Sequence, residues 1–167
     1  MTDPTGVWDA DRARAFLHES TAPIRLSCHT PSGELWMLSL WYEYRDGVFY
    51  CATHANADVV SYLSSDDRVA FEVSTNRPPY KGVRGNGRAS IEPDAGKARL
   101  RSLLERYLGG TDSSLADRLL DPDRPEVQLT ITPDRLHTWD FTDRMADLPA
   151  PETNEASPEA DGTAPEK

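Results

Sequence analysis

The sequence predicts an α+β fold built on a small antiparallel barrel with flanking helices. Two aromatic, apolar runs, LWMLSLWYEY and VFYCATH, are joined by a short turn containing Asp46-Gly47, which is the local signature of a hairpin. The next segment, ANADVVSYLSSDD, carries Val59, Val60 and Leu63 at helical spacing, and the run RVAFEVST follows it as a return strand. Only this strand–helix–strand step is clean, so the pattern argues against a parallel βαβ sheet.

The length of 167 residues favours one domain with a proper core. We expect an N-terminal arm and helix over residues 1–21, the barrel domain over 22–145, and an acidic disordered tail over 146–167. No apolar run of about 18 residues predicts a membrane span. The N-terminus lacks the basic-then-apolar layout of a secretory signal, so we expect a cytoplasmic protein.

The charge distribution excludes one class of partner and divides the chain unevenly. A formal net charge of −10 argues against binding to a nucleic-acid backbone. From Asp147 onward the sequence has six acidic residues and one basic residue, Lys167, so half of the excess negative charge lies in the tail. Arginine supplies most of the 18 cationic side chains. This pattern favours a halophilic source, in which net charge maintains solubility, while high-GC codon usage gives a similar bias.

The first half of the chain is predicted to begin with residues 1–8 as a loose arm. A helix follows from Trp8 to Ser20, with Asp9 as its N-cap, and Ala22-Pro23 ends it. The predicted elements after it are strands at 24–30, 34–44 and 47–53, a helix at about 55–65, and a strand at 68–75.

The second half contains the best helix pattern. Residues 80–91 read as a strand loosened by glycines, which allow bending or the close approach of another group. Apolar residues at helical spacing run from Pro93-Asp94 to Gly109-Gly110, and Ser113–Leu120 is a second, shorter helix. Glu126–Asp140 is a final strand, in which Pro133 predicts a bulge or break.

Several motifs that could indicate a cofactor, a metal or a catalytic thiol are better explained by ordinary structural roles. The glycines of Gly82-x-x-Gly85-x-Gly87 lie inside a strand and lack the spacing of a dinucleotide fingerprint. The four histidines show no ligand spacing, so we expect no metal site. Cys28 and Cys51 lie in apolar runs and are expected to be small buried thiols. A hydrolase that pairs one thiol with a histidine is the weakest of the functions considered.

Candidate binding residues lie at a strand-to-helix junction and on a cationic strand. Thr53-His54-Ala55-Asn56 places hydroxyl and amide donors beside the N–H groups of a helix start, which form an anion site. Ordinary N-capping by Thr53 or Asn56 explains the same residues. Lys81, Arg84 and Arg88 form a cationic stripe, which is either a solvated face or a phosphate partner.

Aromatic side chains crowd the predicted hairpin. They are Trp36, Trp41, Tyr42, Tyr44, Phe49 and Tyr50. Aromatic residues bury large areas, so a core or a dimer interface explains most of them. A planar ligand could also stack along them, and Trp139 near the end of the last strand has the same two readings.

The order of these segments resembles the pyridoxamine 5′-phosphate oxidase-like proteins, the FMN-binding split β-barrels. The matching stretches are LWMLSLWYEYRDGVFYCAT, SYLSSDDRVAFEV, PPYKGVRGNGRASI, KARLRSLLERYLGG and ITPDRLHTWDF, within residues 22–145. The resemblance implies a homodimer with two cofactor sites at its interface, each holding FMN or a related deazaflavin, and a small-molecule substrate.

The resemblance also assigns residues to the cofactor. The flavin ring is expected along Ser39-Leu40-Trp41, and the phosphate at the segment from Thr53 to Val59, which includes His54 and Asn56. Lys81 and Arg84 are expected to contribute from nearby. Trp139 matches a recurrent tryptophan of the closing strand. The resemblance identifies no catalytic residue.

One position departs from the family pattern. The basic residue that is usual in the first turn of the helix falls on Asp58 or Val59. A carboxylate there repels a phosphate by roughly 1 kcal/mol or more at short range. Two hypotheses follow. Either Lys81, Arg84 and backbone N–H groups hold the phosphate of an FMN-binding oxidoreductase, or the barrel is a non-catalytic flavin- or haem-binding sensor or a dimer module that has lost the flavin site.

Overall fold

The computed structural model describes residues 2–147. The strands are β1 Thr5–Gly6, β2 Ile24–His29, β3 Leu35–Leu40, β4 Tyr42–Arg45, β5 Val48–His54, β6 Arg68–Ser74, β7 Lys81–Pro93 and β8 Glu126–Asp140. The helices are α1 Ala10–Glu19, α2 Asp58–Ser65, α3 Ala98–Leu108 and α4 Ser114–Leu119. No helix within these residues is long and apolar enough to cross a membrane. The predicted acidic tail lies outside the described residues from residue 148 onward.

The strands form one curled sheet in the order β3-β2-β6-β7-β8-β5-β4, antiparallel throughout. The short strand β1 adds in parallel to the end of β8. The two outer strands, β3 and β4, are consecutive in the chain and are separated only by Trp41. The sheet therefore closes on itself through a bend at Trp41. This arrangement with flanking helices is the split β-barrel α+β fold that the sequence predicts.

The predicted strand at 34–44 is two strands with different partners. β3 pairs with β2, which places Ser39 opposite Arg25, whereas β4 pairs with β5, which places Tyr42 opposite Cys51. The apolar pattern continues across Trp41, so the sequence does not show that the pairing partner changes there. The hairpin prediction is right for β4 and β5. Asp46 and Gly47 both have positive φ, as a two-residue hairpin turn requires.

The core lies inside the curled sheet. Phe49 is its centre, with ring centroids of Tyr42, Tyr44 and Phe71 at 4.8–5.5 Å. Burial of each such side chain contributes about 1.5–3 kcal/mol before the entropy of ordering is subtracted. Helix α1 packs with Ala13, Phe16 and Leu17 buried, and helix α2 does so with Val59 and Leu63. Both helices therefore add buried side chains to this core.

The N-terminal residues are not a loose arm, which corrects the prediction for residues 1–8. Trp8 is buried, its backbone N–H donates to Thr138 Oγ1 at 2.9 Å, and its indole N–H donates to Asp140 Oδ2 at 3.3 Å. Burial of an aromatic side chain anchors this segment, a contact that no local pattern announces. Asp9 is the N-cap of α1 as predicted, and accepts the N–H of Arg12 at 2.8 Å.

Two helix starts lie later than predicted. Helix α2 begins at Asp58, and α3 begins at Ala98 because β7 continues to Pro93. Between the end of β7 and the start of α3 the chain makes a single 3₁₀ turn at Ala95–Lys97. The backbone of Lys97 is left-handed there, with φ of 56°. The apolar spacing that predicts the helix does not mark this irregular start. The predicted stop is right, since Gly109 is a left-handed C-cap with φ of 75°.

A β-bulge follows Pro133, as the sequence predicts. Asn86 of β7 pairs with Arg135, but the next residue, Gly87, pairs with Pro133, so Asp134 is the extra residue. Before the bulge Ile131 and Pro133 face the core, and beyond it Leu136 and Thr138 do. The bulge therefore reverses the alternation and leaves Arg135 exposed.

Candidate functional site

A pocket of about 340 Å³ lies beside the bend at Trp41, and we call it the kink pocket. It gathers four of the predicted site residues: Ser39, Leu40, Trp41 and Thr53. Its other lining residues are Ala52, Leu100, Leu103, Leu115, Leu119, Arg124 and Glu126. Helices α3 and α4 thus supply the apolar wall opposite the predicted ring-binding strand. The apolar spacing of these helices predicts that they form but does not connect them with the site.

The Trp41 ring is held in place by α3. It stacks on Tyr107 with ring centroids 5.0 Å apart and an interplanar angle of 11°. The Tyr107 hydroxyl oxygen accepts the backbone N–H of Tyr42 at 3.1 Å, which ties the helix to the residue after the bend. Beside it, the Arg106 guanidinium donates to the carbonyl oxygens at the end of α1, from Leu17 and Ser20 among others. The pocket therefore has a fixed aromatic wall.

The kink pocket contains one ion pair that sequence reasoning missed. Arg124 Nε lies 2.6 Å from Glu126 Oε1, and the Glu126 side chain is only 2 % exposed. The Arg124 side chain is 35 % exposed and lies between the buried carboxylate and solvent. Charged residues before a strand usually indicate a solvated loop, so the sequence carries no signal for this pair. Arg124 is the cationic side chain that lines the pocket together with Thr53.

The start of α2 differs from the capping interpretation. Its N-cap is Ala57, and no side chain caps it, so N-capping by Thr53 or Asn56 is wrong. The Asn56 N–H instead donates to His54 Nδ1 at 3.0 Å. Asp58 stands exposed in the first helical turn. The helix start therefore offers backbone N–H donors to an anion but places a carboxylate beside them.

The remaining predicted residues, Lys81, Arg84 and Trp139, lie at the opposite end of β8. Thr53 is opposite Val127 near the start of that strand, whereas Gly82 is opposite Trp139 near its end. The strand path between these two positions is roughly 40 Å. The Arg84 guanidinium lies over the Trp139 ring at 5.4 Å. One protomer therefore does not bring this group together with the α2 start.

A second, larger concavity of about 590 Å³ lies on the outer face of the sheet, and we call it the outer groove. Strand register places Arg25, Glu72, Arg84 and His137 in one row across four strands. Asn86 and Arg135 stand in the next row. Arg25 donates to Glu72 at 3.1 Å, to Ser74 at 3.0 Å and to Asn76. Within residues 2–147 neither Arg84 nor Arg135 has a carboxylate within 4.0 Å.

The thiols do not form a reactive centre. Cys28 and Cys51 are buried and free, as predicted. Burial raises the pKa of the Cys51 thiol to about 12, and burial followed by the Asp66 carboxylate raises the pKa of Cys28. A cysteine nucleophile needs a lowered pKa, so the hydrolase hypothesis has no support here.

The fold and the kink pocket define a structural class. The chain has the split-barrel fold of the pyridoxamine 5′-phosphate oxidase-like proteins, which the sequence resemblance predicts. Comparison with known structures gives a TM-score of 0.68 to a conserved hypothetical protein of Mycobacterium tuberculosis, at 25 % identity over 90 % of this chain and 94 % of the other. No family model and no curated protein matches the sequence.

Other structures with this fold also match, and the descriptions of some of them name F420, FAD or haem. An F420 reductase shares 23 % identity over 72 % of this chain and 92 % of its own, with a TM-score of 0.57. A candidate pyridoxamine 5′-phosphate oxidase from Listeria innocua shares 15 % identity over 77 % and 95 %, with a TM-score of 0.59. An FAD-binding protein of Mesorhizobium loti and the haem storage protein HutZ of Vibrio cholerae also match, with TM-scores of 0.56 and 0.59.

Proposed function

We propose that the protein binds a flavin-type cofactor, FMN or the deazaflavin F420, in the kink pocket and acts as an oxidoreductase. The observation that carries the proposal is the gathering of Ser39, Leu40, Trp41 and Thr53 around one apolar pocket in this fold. Neighbours with the same fold are described as an F420 reductase and an FAD-binding protein. When bound, such a cofactor supplies the hydride chemistry, and the protein supplies binding and orientation.

The pocket suits a planar ring. Its volume of about 340 Å³ lies in the range of about 300–1,000 Å³ that is usual for ligand sites. Leucine side chains from α3 and α4 form one wall, and Trp41 forms part of another. Because Trp41 is already fixed by Tyr107, its ring loses little freedom when a ligand packs beside it.

The phosphate of such a cofactor needs cations that Asp58 does not supply. Arg124 lines the pocket, although its charge is shared with Glu126. Lys81 and Arg84 of the same protomer lie at the far end of β8. We propose that the protein is a homodimer, in which the partner subunit's Lys81 and Arg84 approach the phosphate.

The exposed face of β3 supports this dimer. β3 is an outer strand of the sheet, and Leu35 and Met37, whose side chains share one face, are 76 % and 67 % exposed, while Trp36 on the other face is 43 % exposed and packs against Tyr62 of α2. An apolar outer strand is a surface that proteins normally cover by pairing or packing. A second copy placed there would cover it next to Ser39 and Leu40, beside the kink pocket. Leu35→Glu is therefore expected to shift the protein from dimer to monomer in light scattering, whereas Leu108→Glu, on another exposed face, leaves the dimer unchanged.

The alternative is a non-catalytic flavin- or haem-binding module. Asp58 at the start of α2 favours it, because a phosphate gains least at a helix start that carries a carboxylate. The haem storage protein HutZ shows that a described haem protein has this fold. A turnover test with NADH, NADPH or reduced F420 separates the two functions. Tight cofactor binding without turnover would favour the module.

Titration with FMN, F420 and haem tests the binding proposal. Flavin fluorescence is expected to fall on binding, because stacking beside an aromatic ring quenches it. Trp41→Ala should weaken binding by at least tenfold, whereas Trp41→Phe retains a ring and most of the affinity. Phe141→Ala removes an exposed aromatic ring outside the pocket and serves as the control. Protein that takes up none of the three ligands would overturn the proposal.

A further inference from the structure

We propose that a second cavity, which adjoins the kink pocket, binds the carboxylate group of a small acidic substrate. The cavity has a volume of about 420 Å³ and lies between the start of α3 and the segment 120–126. We call it the loop pocket, and its lining includes Lys97, Arg101 and Leu120. It shares no lining residue with the outer groove.

The loop pocket and the kink pocket meet at one ion pair. Arg124 and Glu126 line both cavities. Helix α3 gives Leu100 to the kink pocket and the next residue, Arg101, to the loop pocket, and two successive leucines at the end of α4 are divided in the same way. A ligand in the loop pocket therefore lies next to the cavity that is proposed to hold the cofactor ring.

The charges of the loop pocket match a monoanion. Three cationic side chains and two carboxylates line it, a net charge of +1 in a chain whose formal net charge is −10. Both carboxylates already have partners. Asp94 accepts the backbone N–H groups of Arg99 at 3.0 Å and Leu100 at 2.9 Å, and Glu126 is paired with Arg124. A carboxylate balances the remaining charge, whereas a phosphate, with a charge of about −1.5 to −2, exceeds it.

Arg101 is the cation that is free to bind this carboxylate. Within residues 2–147 it forms no ion pair, and its side chain is exposed. A guanidinium presents paired N–H donors that match the two oxygens of a carboxylate. An exposed arginine by itself is only a solvated charge, so the site also depends on a second cation that is held in place.

Lys97 is that second cation. Its ammonium group donates to the carbonyl oxygen of Leu119 at 3.1 Å and to that of Asp121. These two bonds fix the charge on the lining of the pocket, and an ammonium group has a third N–H donor for a ligand. Gly96 and Lys97 are both left-handed, with φ of 68° and 56°. A lysine seldom adopts this conformation, and such backbone strain is concentrated at binding sites.

The apolar part of the lining determines the body of the substrate. Pro93, Leu120, Pro122 and Pro125 contribute side chains without polar atoms. The cavity volume of about 420 Å³ lies within the usual range for ligand sites, about 300–1,000 Å³. The loop pocket therefore suits a small carboxylic acid with an apolar body. Its assignment as the substrate rests on the proposed function, but the binding of such an acid does not.

Phenylbutyrate and its uncharged amide test the loop pocket by isothermal titration calorimetry. The wild-type protein without cofactor is expected to bind the acid at least tenfold more tightly than the amide. Arg101→Gln should lower the affinity for the acid about tenfold, as loss of one charge-assisted hydrogen bond predicts, and should leave the affinity for the amide unchanged. Arg124 is not substituted, because its loss would leave the buried Glu126 carboxylate unpaired.

Arg118→Gln and Arg135→Gln are the controls. Arg118 is exposed on α4, and Arg135 lines the outer groove, but neither lines the loop pocket. Both variants should bind the acid as the wild type does. A loss in Arg135→Gln as large as that in Arg101→Gln would overturn the proposal, because the charge of the acid would then be recognised outside the loop pocket. Circular dichroism checks that each variant is folded.

Equal affinity of the wild type for acid and amide would also overturn the proposal, as would absence of acid binding or an unchanged affinity in Arg101→Gln. The titration is repeated with FMN-loaded protein, which should still bind the acid. Loss of acid binding on loading would overturn the assignment to a substrate, because the cofactor itself would then occupy the loop pocket.

Cofactor binding is measured on separate samples by flavin fluorescence, so the two proposals can fail separately. A flavin-binding protein without charge-selective acid binding refutes the loop-pocket site alone. Acid binding that depends on Arg101, in a protein that takes up no cofactor, refutes the proposed function alone.

Discussion

The kink pocket and the outer groove lie on the same sheet but are built differently. The kink pocket forms where the chain bends at Trp41 and is walled by α3 and α4, and its one cation, Arg124, is already paired. The outer groove has no helix residue in its lining, its residues come from six strands of the sheet, and Arg84 and Arg135 lack acidic partners within the described residues. The first offers an apolar wall to a flat ring, and the second presents cations without acidic partners.

The two regions differ in whether their charged side chains are paired, and burial explains this difference. The Glu126 carboxylate in the kink pocket is only 2 % exposed, so its charge must be paired. A sheet face without a covering helix stays hydrated, so arginines can remain unpaired at little cost. Substitutions that affect one region and spare the other therefore test the comparison.

The largest effect is expected at Gly85, on the groove side. In Gly85→Ala the new Cβ collides with the Arg135 carbonyl oxygen, so β7 and β8 must separate. The free energy of unfolding should fall by roughly 3 kcal/mol. Denaturant unfolding measures the change. Gly110→Ala is the control, because an added Cβ there meets nothing within 4 Å, and it should change stability little.

The next effect is expected at Tyr107, on the kink side. Tyr107→Phe removes the oxygen that accepts the Tyr42 N–H but retains the ring against Trp41. It should lower stability by about 1 kcal/mol and leave flavin quenching intact. Tyr107→Ala removes both contacts and should reduce flavin affinity as well. Similar flavin affinities in the two variants would show that the stacked ring does not shape the pocket.

Glu126→Gln tests whether the paired cation limits phosphate binding in the kink pocket. The substitution leaves Arg124 without its carboxylate, and Arg124 can hydrate because its side chain is 35 % exposed. We expect a stability loss of at most about 1 kcal/mol. Affinity for FMN should rise severalfold, while affinity for riboflavin, which lacks the phosphate, stays the same. A parallel change for both ligands would exclude Arg124 as a phosphate partner.

The smallest effect is expected at the thiols. Because burial raises the pKa of Cys51 from 9.0 to about 12 and raises that of Cys28, neither thiol should react with Ellman's reagent in the native protein at pH 8. Both should react in denaturant. The raised pKa also means that stability falls as pH rises above about 9, where the unfolded thiols ionise and the folded ones do not. Rapid labelling of native protein would contradict this.

Much of the fold could be predicted because its signals are local. The Asp46-Gly47 turn, the Asp9 cap, the Gly109 stop and the bulge after Pro133 each depend on residues near in sequence. The bend at Trp41 could not be predicted, because the aromatic pattern continues through it while the pairing partner changes. The anchoring of Trp8 on β8 is a contact between distant segments and has no local signature.

Some of the candidate site residues could likewise be predicted to lie together, and others could not. The kink pocket contains Ser39 and Leu40 of β3, Trp41 at the bend and Thr53 of β5, which the resemblance expects to lie near one another, although β3 and β5 are not paired in the sheet. Lys81, Arg84 and Trp139 were expected nearby, but antiparallel register carries them to the other end of β8. The row of arginines in the outer groove depends on register and on a reversal of alternation, which spacing along the chain cannot reveal.

One set of titrations tests the central claim that the kink pocket, rather than the outer groove, holds the cofactor ring. FMN is titrated into the wild type, Trp41→Ala and Arg135→Gln. We predict that Trp41→Ala weakens FMN binding at least tenfold and that Arg135→Gln leaves it unchanged. A larger loss in folded Arg135→Gln than in folded Trp41→Ala would contradict the account, because it would place the ring in the outer groove.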